Sequence, residues 1–397
     1  MTFFCRSRDA EQEVWDGPRN GPNGAVDVFG ADNAMDIGLF TSHLKKVFSS
    51  SNTDGPIYVD LPDTPTASVR GPRGLRTAKS IFNFLSASAS GARRTALDLG
   101  LSQKKSDYEY LVAALNGTGG RITKSLKEET EKLRILKSEN EIKLMRKAAD
   151  ISGNAHAKVM RLAEPGISEH TLVTAFEHEC GLRGSVRAAY LPVCASGSHT
   201  RYLHYTANDA LLPAQSCVLL DAGCEYASYA SDITRTFPTS GSFTKPEKDL
   251  YTVVLNTLKA CTEICSEKNG GVTLYDLHEK SRSTMKQEFK QVALDLEGNE
   301  SLFSRIYPHF IGHPLGLDLH CCPTFQRHTR LEAGNVITIE PGVYMPDESS
   351  VPKAFRGIAI RLEDEILVGS KDPIILSVNA PIEIVDVEAC CQGLLEP

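Results

Sequence analysis

The chain has 397 residues, of which 41% are hydrophobic and 23% charged, with a formal net charge of −7. That balance supports a sizeable buried core and excludes disorder of the chain as a whole. It also argues against a general nucleic-acid binder, which needs a basic face, and no run approaches the roughly 18–20 apolar residues of a membrane span.

The first twenty residues carry Asp9, Glu11, Glu13 and Asp16. A mitochondrial presequence is Arg-rich and acid-poor, and a signal peptide has an apolar centre, so neither is expected here. Phe3-Phe4-Cys5 reads as part of a strand, as if the chain opened inside a domain. Gly17-Pro18 and Gly21-Pro22 read as turns, Ala25-Val-Asp-Val-Phe29 and Pro56-Ile-Tyr-Val59 as strands, and Asp36 to Phe48 as a helix. Residues 61–80, rich in Pro, Thr, Gly and Arg, read as a loop, and Ser86 to Gly91 as a small-residue linker. Residues 102–131 are polar and charged. The first third is therefore expected to be an α/β piece with at least one long loop.

The character changes near residue 132. Ser138-Glu-Asn-Glu141 is a capping box, and Ile142, Met145 and Ala149 follow at helical spacing, which predicts a helix over 138–162 stopped by Pro165-Gly166. A second helix follows Ser168 and ends at Gly181. Thr244-Lys-Pro-Glu247 caps a third helix to about Lys268, and Thr273 opens a fourth. Strands are expected over 217–223, 227–237, 335–340 and 357–368. Helix pairs alternating with strand pairs hint at a duplication. The eleven cysteines include no Cys-x-x-Cys, so they read as reduced, mostly buried thiols rather than a zinc site.

The chemistry is concentrated at strand ends. Asp221 closes the apolar run Cys217-Val-Leu-Leu220, where a carboxylate is costly unless paired or ligated. A hairpin through Gly223-Cys-Glu-Tyr226 would return Asp232 beside it. Two facing carboxylates repel, so either a cation sits between them or Arg235 neutralises them. His309, His313 and His320 fall within twelve residues, a density that suggests metal ligation or proton transfer. Glu340 ends a β-branched run before Pro341-Gly342. In Gly357-Ile-Ala-Ile-Arg-Leu-Glu-Asp-Glu365, Arg361, Glu363 and Glu365 share a strand face, and spacing does not choose between the two glutamates. Four carboxylates and an imidazole suit two divalent ions bridged by carboxylates, with Mn²⁺, Co²⁺ or Zn²⁺ all compatible, and amide hydrolysis as the obvious reaction.

The order Asp221, Asp232, His313, Glu340, Glu363 resembles the ligand set of the pita-bread metallopeptidases, which include methionine aminopeptidase, prolidase, aminopeptidase P and creatinase. Leu203-His-Tyr-Thr206, Leu220-Asp-Ala-Gly-Cys-Glu-Tyr226, Ser231-Asp-Ile-Thr-Arg-Thr-Phe-Pro238, the 313–320 string and Phe355 to Glu365 resemble aminopeptidase P. The match is strongest to the mitochondrial-type Xaa-Pro aminopeptidases, the aminopeptidase P3 or intermediate-cleaving branch, and Glu13-Val-Trp-Asp-Gly-Pro-Arg19 is similar to the N-terminal domain of that branch.

The resemblance implies an α+β chain: a partial creatinase-type α/β N-terminal domain over 1–131, with a loop or linker around 61–91, and a pita-bread catalytic domain over 132–397. It implies two divalent metal ions, Mn²⁺ first and Co²⁺ or Zn²⁺ as alternatives. Asp221 would chelate one ion, Asp232 and Glu363 bridge both, and His313 and Glu340 complete the other, around a metal-bridging hydroxide. Glu363 is chosen over Glu365 because the family's ligand is the Glu of Arg-x-Glu. Glu340 would also shuttle the proton, His204 and His320 would contact substrate, Arg361 would stand beside the second bridging carboxylate, and Tyr190 would line the pocket. Pro314, Ala359 and Glu365 depart from the family's usual residues. The expected activity is removal of one N-terminal residue from peptides or proteins, of Xaa-Pro type or as trimming of mitochondrial processing intermediates. The alternatives are a dipeptide-specific prolidase and a non-catalytic pita-bread binding module. A homodimer, no nucleic-acid or membrane partner, and a mitochondrial location complete the expectations, with a cytoplasmic one as alternative for want of a presequence.

Overall fold

A computed structural model describes residues 1–50, 57–59, 123–294, 296 and 298–395. The loop expected over 61–80, the linker at 86–91 and most of the polar stretch 102–131 lie outside the described residues. The described residues fall into two compact units, one up to Lys127 and one from Glu128 onward.

In the first unit, β1 (Thr2–Cys5) pairs in parallel with β2 (Asn33–Asp36), and β3 (Ile57–Val59) with β4 (Thr123–Ser125). Asp36 accepts from the Gly38 amide and opens a 3₁₀ turn, Ile37–Leu39, that runs into the helix Phe40–Ser50. The strand expected at Ala25–Phe29 is instead the end of a helix, Gly21–Asp27. Pro22 in the first turn supplies a helical φ, so Gly21-Pro22 starts a helix rather than a turn. Only Ala25 of that apolar run is buried, while Val26, Val28 and Phe29 face solvent. Alternation therefore never acted on it.

The second unit starts its main helix, Glu139–Leu162, at the capping box: the Ser138 amide donates to Glu141 Oε2 at 2.7 Å, and the Glu141 amide returns to Ser138 Oγ. Met145, Ala148, Ile151, Ala155 and Val159 form its buried stripe. It packs on the helix Glu169–Leu182, and Lys245–Glu263 packs on Leu274–Gln291. The third helix ends about a turn short of the expected Lys268, because Cys265 and Ser266 turn back on Thr262 and Ile264.

Between the helix pairs run the strands that carry the site. β5 (Arg187–Ala188), β8 (Cys224–Tyr226) and β9 (Tyr229–Ala230) form one antiparallel set. β6 (Val193–Ser196), β7 (Cys217–Asp221) and β10 (Thr234–Pro238) form another. β11 (Val336–Ile339), β14 (Asp364–Leu367) and β15 (Ile374–Ile375) form a third, and β12 (Gly342–Tyr344) pairs with β13 (Ala359–Arg361). A bridge between Thr234 and Glu363 joins the β10 edge to the β13–β14 segment. The helices and strands of this unit share one large buried apolar cluster.

Two expected strands are broken. The 227–237 strand interrupts at Ser231-Asp232-Ile233, and the 357–368 strand at Leu362-Glu363. Each break falls where a site carboxylate sits. β13 pairs with β12 and β14 with β11, so the chain changes partners at Glu363.

Candidate metal centre

Asp221 ends β7 between Val193 on one side and Thr234 on the other. The main helix fixes its neighbourhood from behind. The buried His156 ring, through Nε2, lies 3.0 Å from the Ala222 carbonyl, and Ser152 Oγ sits 2.6 Å from Ser231 Oγ while accepting from the Cys224 amide at 3.0 Å. At Gly223 a Cβ would stand 1.9 Å from the Ser231 carbonyl oxygen, so only glycine lets the two chain segments cross this closely. The crossing delivers Asp232 to the Asp221 end of the sheet, but the turn expected at Gly223–Tyr226 is instead strand β8, and the chain reverses at Ala227-Ser228, both at positive φ.

The Tyr190 hydroxyl lies 2.6 Å from Asp221 Oδ1 and 2.8 Å from Asp232 Oδ1. One phenol has one proton to donate, so it ties together two carboxylates that would otherwise repel. Arg361, almost fully buried, donates Nη2 to Asp221 Oδ2 at 2.5 Å, Nη1 to the Tyr344 hydroxyl at 2.9 Å and Nε to Thr234 Oγ1 at 3.2 Å. Thr234 in turn donates to Glu363 Oε2 at 2.7 Å. Arg235, the alternative neutraliser, points elsewhere: it donates to Asp364 Oδ1 at 2.7 Å and to the Glu363 carbonyl at 2.6 Å. It thereby pins the Glu363 backbone without touching the Asp221–Asp232 pair.

From the other half, the Thr338 amide donates to the His313 carbonyl, and the Glu340 amide to the Ile311 carbonyl, laying the histidine loop along β11. Gly312 permits this approach, since a Cβ there would meet the Thr338 carbonyl at 1.9 Å. His313 Nδ1 faces the Pro314 carbonyl at 3.1 Å. Donation from Nδ1 fixes the tautomer that leaves the Nε2 lone pair free, the state a metal ligand needs. That Nε2 lies 3.4 Å from Asp232 Oδ2 and 3.9 Å from Glu340 Oε1. One ligand atom each from Asp232, His313 and Glu363 falls within a common 4.8 Å.

Electrostatics explain why the cluster needs a cation. Burial, then Asp221, drives the Asp232 carboxyl well above its usual range. Burial, then Glu363, does the same to Glu340, and burial, then Asp232 and Asp221, to Glu363. Burial lowers the proton affinity of His313. Buried carboxylates that resist ionisation beside a neutral imidazole are hard oxygen donors with one nitrogen, and such a donor set fits divalent ions. Glu365 is also buried and pushed upward by burial, but its Oε1 accepts from the Asp232 amide at 2.9 Å. It braces the Asp232 backbone and stands outside the ligand cluster, which separates the two glutamates that spacing left open.

The other expected residues lie close by. The His320 ring stands edge-on to His313 at 4.2 Å between centroids, and burial, followed by the charges of His313 and His204, pushes its pKa down to about 3. His204 is held below its ordinary value by burial and then by Arg361. Two participants stood outside the expected ligand and pocket residues, although His309 belongs to the histidine cluster singled out in the sequence. His309 Nε2 lies 3.1 Å from the Tyr344 hydroxyl, and its Nδ1 is 3.9 Å from Glu340 Oε2. Tyr344 enters the site because Gly342 opposes Arg361 across β12–β13, a register no local pattern reveals. The eleven cysteines are all free, as expected.

No helix among the described residues is long and apolar enough to cross a membrane. The profile of metallopeptidase family M24 matches residues 143–370, and that of the aminopeptidase P N-terminal domain matches residues 1–58. The chain is 34% identical to Xaa-Pro aminopeptidase 3 of Rattus norvegicus over 98% of its own length and 70% of the relative's. It is 34% identical to intermediate cleaving peptidase 55 of Saccharomyces cerevisiae, over 97% of this chain and 69% of that one. The crystal structure of that yeast protein lacking its N-terminal 58 residues superposes with a TM-score of 0.81 at 32% identity, covering 99% of this chain and 81% of the other. The fold is thus the pita-bread fold of the aminopeptidase P structures. On the combined weight of the profile match and these relatives, the chain belongs to metallopeptidase family M24.

Proposed function

We propose that this chain is a two-metal aminopeptidase that hydrolyses the first peptide bond of peptides or proteins, either at Xaa-Pro or by trimming one residue from mitochondrial processing intermediates. The observation that carries the reading is the convergence of Asp232, His313 and Glu363 ligand atoms within 4.8 Å, in a buried pocket whose carboxylates repel without a cation. In this reading Asp221 holds one ion, Asp232 and Glu363 are shared, and His313 and Glu340 complete the second. Mn²⁺ is the proposed metal.

When bound, two divalent ions supply a water acidified towards neutral pH and a Lewis acid for the scissile carbonyl. The chain's own groups do the rest. Glu340 holds the water's proton and passes it to the leaving nitrogen. His320 is uncharged at neutral pH and acts as a neutral hydrogen-bond donor to the developing oxyanion. His204 contacts the substrate, and Tyr190 lines its pocket. Arg361 orients Asp221 and compensates its charge. Residues 1–131 would form a partial creatinase-type N-terminal domain and 132–397 the catalytic domain. A homodimer and a mitochondrial location are part of the same proposal, the location in keeping with a mitochondrial intermediate cleaving peptidase 55 among its relatives.

The intact ligand set disfavours a non-catalytic module. The test is to strip the purified protein with a chelator, restore Mn²⁺, and assay Xaa-Pro peptides, Xaa-Pro dipeptides and peptides opening with Tyr, Leu or Phe. Metal-dependent release of one N-terminal residue from peptides longer than two supports the reading. Turnover of dipeptides alone indicates a prolidase, and turnover that survives chelation but not thiol alkylation rules out the metal mechanism.

A further inference from the structure

Cys321 and Cys322 follow His320 directly and take no part in the proposed chemistry. Neighbouring side chains on regular extended backbone point apart. Here Cys322 adopts a left-handed φ of 55°, and the two sulfurs come to 3.5 Å from one another. A non-glycine residue in that region is strained and persists only where its surroundings impose it. The surroundings are specific: the Cys321 amide donates to the Pro314 carbonyl at 2.9 Å, the Phe325 amide to the Cys322 carbonyl at 2.9 Å, and Cys322 Sγ to the Glu131 carbonyl at 3.6 Å.

Two cations face the pair. Arg134 Nη2 donates to Cys321 Sγ at 3.4 Å, and the charge of the largely buried Lys137 bears on both sulfurs. The Cys321 thiol is lowered by the Cys322 hydrogen bond, against burial, with help from Lys137 and Arg134, while Cys322 is raised. One sulfur is thus poised as a thiolate and its neighbour as a thiol, the asymmetry that thiol oxidation uses. Both sulfurs are buried, and Arg134, which contacts Cys321 Sγ, also donates to Asp318 at 2.5 Å, with both of those side chains reaching solvent.

We propose that Cys321–Cys322 is a dithiol oxidation site that reacts with a peroxide to give a vicinal disulfide, and that this displaces His320 and lowers turnover. The Cys321 thiolate attacks one peroxide oxygen. The O–O bond breaks, and the leaving hydroxide takes up the proton the Cys321 thiol had shed, giving a sulfenic acid and one water. The Cys322 sulfur then attacks the Cys321 sulfur, the S–S bond forms as the S–O bond breaks, and the hydroxyl departs with the Cys322 proton as a second water. Two thiols and one hydrogen peroxide yield one disulfide and two waters, so the two electrons the sulfurs lose are those the peroxide gains. Bonding draws the sulfurs from 3.5 Å to about 2.05 Å, and the strain falls on the loop that holds His320 against His313. The oxidation site stands on the thiol geometry and the cations beside it, while its effect on turnover rests on the proposed role of His320.

The experiment treats the reduced, metal-loaded protein with hydrogen peroxide, digests it without reduction, and reads the Cys321–Cys322 peptide by mass spectrometry. The expected result is loss of two hydrogens on that peptide, reversed by a phosphine reductant, with a several-fold fall in kcat that recovers on reduction. Cys322→Ser should keep near-normal kcat and lose the reversible fall, and the wild-type mass shift does not depend on that variant folding. Oxidation that stops at sulfinic acid on Cys321, or a pair left reduced while other cysteines oxidise, would overturn the site. Disulfide formation with unchanged kcat would overturn the link to His320 and leave the two-metal reading untouched.

Discussion

The Tyr190 hydroxyl lies within hydrogen-bonding distance of both Asp221 and Asp232, so it matters most when no cation separates them. A hydrogen bond to a charged group contributes about 1.5–3 kcal/mol. Tyr190→Phe should therefore lower the stability of the chelator-treated protein by about that amount, read as a lower urea midpoint. An unchanged midpoint would mean the hydroxyl holds nothing together. His320 belongs to the same scale but to a different role. It packs on His313 without joining the cluster of Asp232, His313 and Glu363. His320→Ala should keep its metal while kcat falls roughly 10²–10³-fold, the effect of losing one transition-state donor. Loss of metal in that variant would show that the histidines have been misassigned.

At the scale of elements, the site depends on close crossings of backbone. Gly223 lies where a Cβ would meet the Ser231 carbonyl at 1.9 Å, and the obstructing atom is backbone that cannot swing aside. Gly223→Ala should cost about 3 kcal/mol, at the upper end for overpacking, and should weaken metal uptake because Asp232 shifts with Ser231. Wild-type stability and metal content in that variant would remove the crossing from the account. These elements also mark what the sequence could and could not reveal. The boxes at Ser138 and Thr244 and the apolar run into Asp221 are local signals, and the elements begin or end there. The breaks at Asp232 and Glu363 are not local. They arise where the chain stops pairing with one neighbour and begins with another. For the same reason spacing could not separate Glu363 from Glu365. That choice rests on which carboxylate faces His313 and which accepts from the Asp232 amide. The end of the helix at Gly21–Asp27 reads as a strand because Val26, Val28 and Phe29 resemble one, while solvent exposure removes the burial that would enforce it.

For the whole molecule, buried neutral histidines set the acid limit. His156 is fully buried against Ala222, and burial pushes its pKa down to about 3. The unfolded chain binds its proton near pH 6.5 and the folded chain does not. Stability contributed by this group is thus present above about pH 6.5 and is lost as pH falls. Between pH 7 and 5.5 the loss is about 1 kcal/mol from this residue alone. In His156→Gln, the stability difference between those two pH values, measured by denaturation with chelator present, should shrink by about that much. An unchanged difference would place the acid sensitivity elsewhere.

The central claim is that the buried carboxylates of the two strand pairs exist to hold two ions. Calorimetric titration of Mn²⁺ into chelator-treated protein, checked by elemental analysis, tests it most directly. The account predicts two ions per chain in the wild type, and loss of both from Asp232→Ala and Glu363→Ala, whose carboxylates the two ions share. A single ion in the wild type, or undiminished binding in either variant, would contradict it.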